Sequence, residues 1–193
     1  MTPQLVLASA SPRRAHILRS LGLDFRLAVP EVDETLKPGE DGTVAAERLA
    51  RHKAESVAGA FALPVVAADT MVLCDGAILG KPSSPESAAD MLRRLSARVH
   101  HVVTGVCLVS GGVAHSGVEW TSVAFGPMSE AEIHWYVATG EPLDKAGAYH
   151  VDGLGALFVE SVTGSPSNVA GFPVSLFRRL VRQAGLALWM AGE

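Results

Sequence analysis

Apolar runs of strand length alternate with amphipathic runs of helix length along this chain, and that alternation commits it to an α/β fold. Leu5–Ala8 reads as a short buried strand. A helix follows, with Ser11 as N-cap and Pro12 at its first position, and it stops at Gly22. Residues 25–29 read as a strand, 30–42 as an acidic loop rich in Pro and Gly, and 43–60 as a helix with Ala46, Leu49, Ala50, Val57 and Ala60 on one stripe. Val65–Cys74 is a strongly apolar strand closed by the turn pair Asp75-Gly76, and Pro85–Leu95 is helical. Residues 100–109 and 113–125 form two strands joined at Gly111-Gly112. Residues 129–139 form a helix whose Ser129 and Glu132 stand at capping-box spacing. A strand at 157–162 and a helix at 173–184 close the chain. Long antiparallel pairs beside βα units predict a mixed, partly antiparallel sheet flanked by helices. With 193 residues, a single domain over 1–193 is expected.

Composition excludes several functions. The chain is 48% hydrophobic and 19% charged, which marks a globular protein. Its formal net charge of −4 argues against nucleic-acid binding by bulk charge, so any anion site is local. No apolar run approaches the ~20 residues that span a bilayer. Arg13 and Arg14 follow the first apolar run, the reverse of a signal peptide, so no secretory leader and a cytoplasmic location are expected. Cys74 and Cys107 both sit in apolar strand segments and read as reduced core residues.

Several residues break local rules. Arg13 and Arg14 occupy the first turn of a helix, where the helix dipole is already positive. With free backbone N–H groups and the hydroxyls of Ser9 and Ser11, they suit a polyanion such as phosphate. The alternative is that both arginines are solvated or paired with carboxylates elsewhere. Asp69 stands in an apolar strand, where a carboxylate is paired, binds metal, holds a shifted pKa as a general base, or caps a strand end. Lys53 lies on the inward stripe of its helix, where lysines usually snorkel to an edge. Glu31, Asp33 and Glu34 could hold a hard cation such as Mg²⁺, or could simply be solvated. Lys81, in the stiff turn Gly80-Lys81-Pro82, and the polar group Glu141, Asp144 and Lys145 carry the same ambiguity. The seven histidines lack zinc-like spacing, and the adjacent pair His100-His101 would face opposite sides of a strand. There is no nucleophile elbow, no Walker A motif and no Gly-x-Gly-x-x-Gly.

Taken together these segments resemble the Maf family of nucleotide pyrophosphatases. The resemblance is carried by Leu7-Ala-Ser-Ala-Ser-Pro-Arg-Arg14, Glu31-Val-Asp-Glu34, Arg48-Leu-Ala-Arg-His-Lys53, Ala68-Asp-Thr70 with Leu79-Gly-Lys-Pro82, Glu141-Pro-Leu-Asp-Lys-Ala-Gly-Ala-Tyr149, and Asn168-Val-Ala-Gly-Phe-Pro173. It implies an elongated mixed sheet in two lobes around a central cleft, as in inosine triphosphatases. It implies hydrolysis of nucleoside triphosphates, modified or non-canonical ones included, to monophosphate and pyrophosphate, with a divalent metal, Mg²⁺ or Mn²⁺. Asp69 matches the family's catalytic base. Ser9, Arg14, Lys53 and Lys81 match substrate-binding positions, and Glu34 the metal-holding position. A homodimer is compatible with the resemblance.

Members that prefer dTTP and UTP carry Arg, Thr and Gln at three specificity positions. Arg13 and Thr70 match, and Asp152 stands where Gln is expected. Members that prefer 7-methyl-GTP carry an aromatic residue, Gln and Glu there, and Asp152 leans toward that set. A competing expectation is a non-catalytic nucleotide-binding regulator of cell division. A buried carboxylate beside phosphates, at Asp69, favours the enzyme. A phosphatase or kinase is disfavoured by the missing P-loop.

Overall fold

The computed structural model describes residues 3–189, so residues 1, 2 and 190–193 of the expected 1–193 domain lie outside the described residues. The elements are β1 (Leu5–Ala8), α1 (Pro12–Ser20), β2 (Phe25–Ala28), α2 (Gly42–Ala58), β3 (Val65–Cys74), β4 (Ala77–Leu79), α3 (Pro85–Leu95), β5 (Val99–Ser110), β6 (Val113–Phe125), α4 (Glu130–Ala138), β7 (Val159–Thr163), α5 (Pro166–Val169) and α6 (Val174–Gln183). One seven-stranded mixed sheet runs β2-β1-β3-β5-β6-β7, with β4 paired to β3. β1 is parallel to both β2 and β3, whereas β3/β4 and β6/β7 are antiparallel. No described helix is long and apolar enough to cross a membrane.

The chain divides into two compact units. Among the described residues the first comprises 3–69, 104–119 and 171–189. Its central strands are buried on both faces, as parallel strands between helical layers must be. Leu5 and Leu7 of β1 join Val66 and Ala68 of β3 on the face covered by Leu18 of α1 and Phe177 and Leu180 of α6. Val6 and Ala8 join Val65 and Ala67 on the opposite face, against Ala50 and Ala54 of α2. α2 approaches the sheet closely because β5 has Gly105 beneath it. A Cβ there would lie 2.3 Å from the Ala46 carbonyl oxygen.

The second unit comprises Thr70–Val103 and Trp120–Ala170. Leu92 and Leu95 of α3, Ile133 and Tyr136 of α4, and Val102, Val123, Phe125, Tyr149 and Phe158 form its core. His100 is fully buried there, edge-on to Phe125 and Tyr149, while His101 is exposed, so the pair does face opposite ways. The α4 capping box is formed as its spacing implies. The strand expected at 157–162 begins at Val159, because Leu154–Phe158 winds into a 3₁₀ turn. β4 and α5, of 3 and 4 residues, are too short to leave a periodic signal.

Candidate active site

The loop between β1 and α1 is built by its two serines. The Ser11 hydroxyl accepts from the Arg14 backbone N–H and caps α1. The buried Ser9 hydroxyl accepts from the Ser11 N–H at 3.1 Å and from Arg14 Nη1 at 3.4 Å. Arg14 Nε donates to the Gly171 carbonyl at 2.9 Å, so the guanidinium is held by its neighbours and not left to solvent. Desolvation lowers its pKa from the ordinary arginine value, against the pull of Asp69. Arg13 stands beside it, partly buried. No acidic residue occupies the first turn of α1.

Asp69 follows Val65 and Ala67 by the two-residue period of β3, so it projects onto the face that α2 covers. Lys53 follows Ala46, Leu49 and Ala50 on the buried stripe of that helix. The two meet: Lys53 Nζ donates to Asp69 Oδ1 at 2.6 Å and to Glu34 Oε2 at 2.6 Å. Lys53 is 6% exposed and Asp69 8%. Lys53 therefore does not snorkel to an edge, because two carboxylates meet its ammonium inside. Glu34 remains exposed to solvent on its outer side.

The acidic loop that brings Glu34 here is pinned by a pairing that the sequence did not show. Arg48 of α2 makes a bidentate pair with Glu40, at 2.6 Å from Nε to Oε1 and 2.7 Å from Nη2 to Oε2. It also donates to the Thr35 carbonyl at 3.3 Å. Glu40 accepts in addition from the Lys37 N–H, and these bonds, that of Arg48 foremost, hold its pKa down to about 2. Asp33 accepts from the Thr35 N–H as a turn residue, and Glu31 is exposed. An eight-residue separation between a loop acid and a helix base follows no helical charge-pair spacing, so no local signal marked it.

Thr70, Lys81 and Asp152 belong to the second unit. Thr70 continues β3, Lys81 is exposed in its turn, and Asp152 is exposed in the loop after Tyr149. The structure thus gathers Ser9 with Arg14, and Glu34 and Asp69 around Lys53.

No group of three or more His, Cys, Asp or Glu side chains fit to hold a metal occurs among the described residues. The carboxylate oxygens that converge are those of Glu34 and Asp69, and they converge on the Lys53 ammonium. A hard cation that keeps water and phosphate oxygens in its other positions suits a donor set this small. Both cysteines are free and buried, and burial pushes the Cys107 thiol up to about 12, away from nucleophilic chemistry.

The chain matches the family described as Maf-like protein over residues 4–184. A dTTP/UTP pyrophosphatase of Anaeromyxobacter dehalogenans is 48% identical over 192 residues, covering 97% of each chain. One from Symbiobacterium thermophilum is 44% identical over 98% of each. A third, from Syntrophus aciditrophicus, is 46% identical over 100% of this chain and 95% of its own.

Proposed function

Because this chain belongs to the Maf family, we propose that it hydrolyses nucleoside triphosphates to nucleoside monophosphate and pyrophosphate, with dTTP and UTP among its substrates. The observation that carries the reading is the buried Lys53–Asp69 pair, capped on its exposed side by Glu34, beside the anchored Arg14.

Phosphoryl chemistry asks for positioning and charge neutralisation more than covalent help. Arg14 is pre-organised: Ser9 and the Gly171 carbonyl fix its guanidinium, so little rotamer freedom is lost when a phosphate arrives. Lys53 engages Oδ1 of Asp69 and leaves Oδ2 to accept a proton from a water attacking the α-phosphorus. The same ammonium is one hydrogen bond away from any phosphate oxygen that displaces Glu34. Glu34 would hold Mg²⁺ or Mn²⁺, which when bound neutralises phosphate oxygens. Arg13, Thr70, Lys81 and Asp152 are the remaining substrate-binding positions that the resemblance implies.

The test is a screen of canonical and modified triphosphates with products resolved. Equimolar monophosphate and pyrophosphate are expected. Release of orthophosphate alone, or no turnover of any triphosphate, would reject the reading.

A further inference from the structure

The loop that carries Asp152 is wrapped around a single carboxylate. Glu141 opens a 3₁₀ turn after α4. Its Oε1 accepts from the Tyr136 hydroxyl at 2.7 Å and from the Gly155 N–H at 3.0 Å, and its Oε2 accepts from the Leu154 N–H at 3.1 Å. The Tyr136 hydroxyl in turn accepts from the His150 N–H at 3.0 Å. Both ends of the segment 150–155 are therefore tied to one Tyr136–Glu141 pair, and Tyr136 is itself fully buried.

The wrapping is tight enough to dictate glycines. A Cβ on Gly153 would lie 2.3 Å from Glu141 Oε2, and one on Gly155 would lie 2.6 Å from the Tyr136 hydroxyl. A flexible surface loop would not need this. Backbone N–H groups donating to a carboxylate make strong, directional bonds, and a hydroxyl locked in a core fixes the carboxylate that receives them. Burial alone would raise the pKa of Glu141, but the bonds from Tyr136, Leu154 and Gly155, with His150 nearby, hold it below the usual carboxylate range. It stays an acceptor at neutral pH.

We infer that Glu141 is a positioning residue for base selection: through the Leu154 and Gly155 amides and the Tyr136 hydroxyl it fixes the loop from which Asp152 is presented. This rests on the reading that Asp152 meets the base.

The experiment compares wild type, Glu141→Gln, Tyr136→Phe, Asp152→Gln and the double variant Glu141→Gln/Asp152→Gln. Glutamine keeps the size of Glu141 but can turn an amide N–H toward a backbone donor. kcat and KM are measured on dTTP and dGTP, and hydrogen exchange is followed at the Leu154 and Gly155 amides. Glu141→Gln is expected to lose protection at those amides. It should also change the dTTP-to-dGTP ratio of kcat/KM by about fivefold, chiefly through KM. The Asp152→Gln effect should shrink in the double variant, because the two act through one loop. Tyr136→Phe, which keeps the core volume, should shift the ratio in the same direction. Unchanged protection, or a ratio within about twofold of wild type in both Glu141→Gln and Tyr136→Phe, overturns the inference. A wild type that turns over no triphosphate rejects the functional reading, and the exchange measurement then still decides whether Glu141 holds the loop.

Discussion

Lys53 Nζ lies 2.6 Å from Asp69 Oδ1, and both side chains are buried. Such a pair is a poor source of net stability, because desolvating two charges offsets most of their attraction, yet removing one partner strands the other. Glu34, on the exposed side of the same ammonium, gives Lys53 a second partner when Asp69 is altered.

Asp69→Asn is accordingly expected to fold. Its amide oxygen still accepts from Lys53, but the base is gone. Turnover should fall by ~10²–10⁴-fold, the usual worth of a general base. Steady-state pyrophosphate release and thermal unfolding check this together. A folded variant keeping more than about a tenth of wild-type rate would remove Asp69 from the role of base.

Glu34→Ala tests the cation. Activity should require Mg²⁺ or Mn²⁺ and stop with EDTA, and the variant should need roughly tenfold more metal for half-maximal rate. Full activity in chelator would refute the metal requirement. An unshifted metal titration would exclude Glu34 as its holder.

Asp152→Gln bears on the base. A carboxylate only accepts, whereas a glutamine amide also donates, and pyrimidine carbonyl oxygens need a donor. The dTTP and UTP to guanine-nucleotide ratio of kcat/KM should rise by roughly tenfold. A ratio that stays put or moves toward guanine would show that Asp152 does not meet the base.

His100 sets a pH dependence of stability. It is fully buried with Nε2 on the Tyr149 hydroxyl at 2.9 Å, and Nδ1 has no partner among the described residues. Burial, helped by His101, lowers its pKa to about 4. An unfolded histidine titrates near 6.5. Between those values the unfolded chain binds a proton that the folded chain refuses. Stability therefore rises with pH across the window, is complete above about 6.5, and is lost on acidification toward 4, by at most about 3 kcal/mol. Urea unfolding of wild type and His100→Gln from pH 4.5 to 7.5 isolates the contribution. Parallel curves would show that His100 does not carry it.

What the sequence disclosed depended on how local each signal was. The strands and helices of more than a few residues were legible from apolar period, caps and turn glycines, since each of those acts within one or two turns of its own segment. Asp69 and Lys53 stood out for the same reason: a charge in an apolar period needs no partner to look wrong. Their pairing did not show, because β3 and α2 meet through the sheet and not along the chain. The Arg48–Glu40 pair did not show, although Arg48 stands in a stretch that carries the resemblance, because a basic residue on a helix and an acidic one in a loop are ordinary. Glu141 was visible as part of a polar cluster and of a stretch that carries the resemblance, but not as the carboxylate its loop wraps. Its bonds are to backbone amides, which every residue but proline possesses, so the side-chain alphabet gave no hint of them.

Gly105 bears on all of this without touching any reacting group. It lets the backbone of α2 rest on the sheet at Ala46, and Lys53 follows Ala46 by seven residues, about 10 Å along the helix axis. A methyl group at 105 would have to push the Ala46 carbonyl outward by roughly 1 Å to reach ordinary contact. Carried along a stiff helix, that displacement is enough to turn a 2.6 Å ammonium–carboxylate bond into a gap. The reach of the lysine is thus calibrated by the thickness of a bare peptide, and the calibrating residue contributes no atoms beyond its backbone.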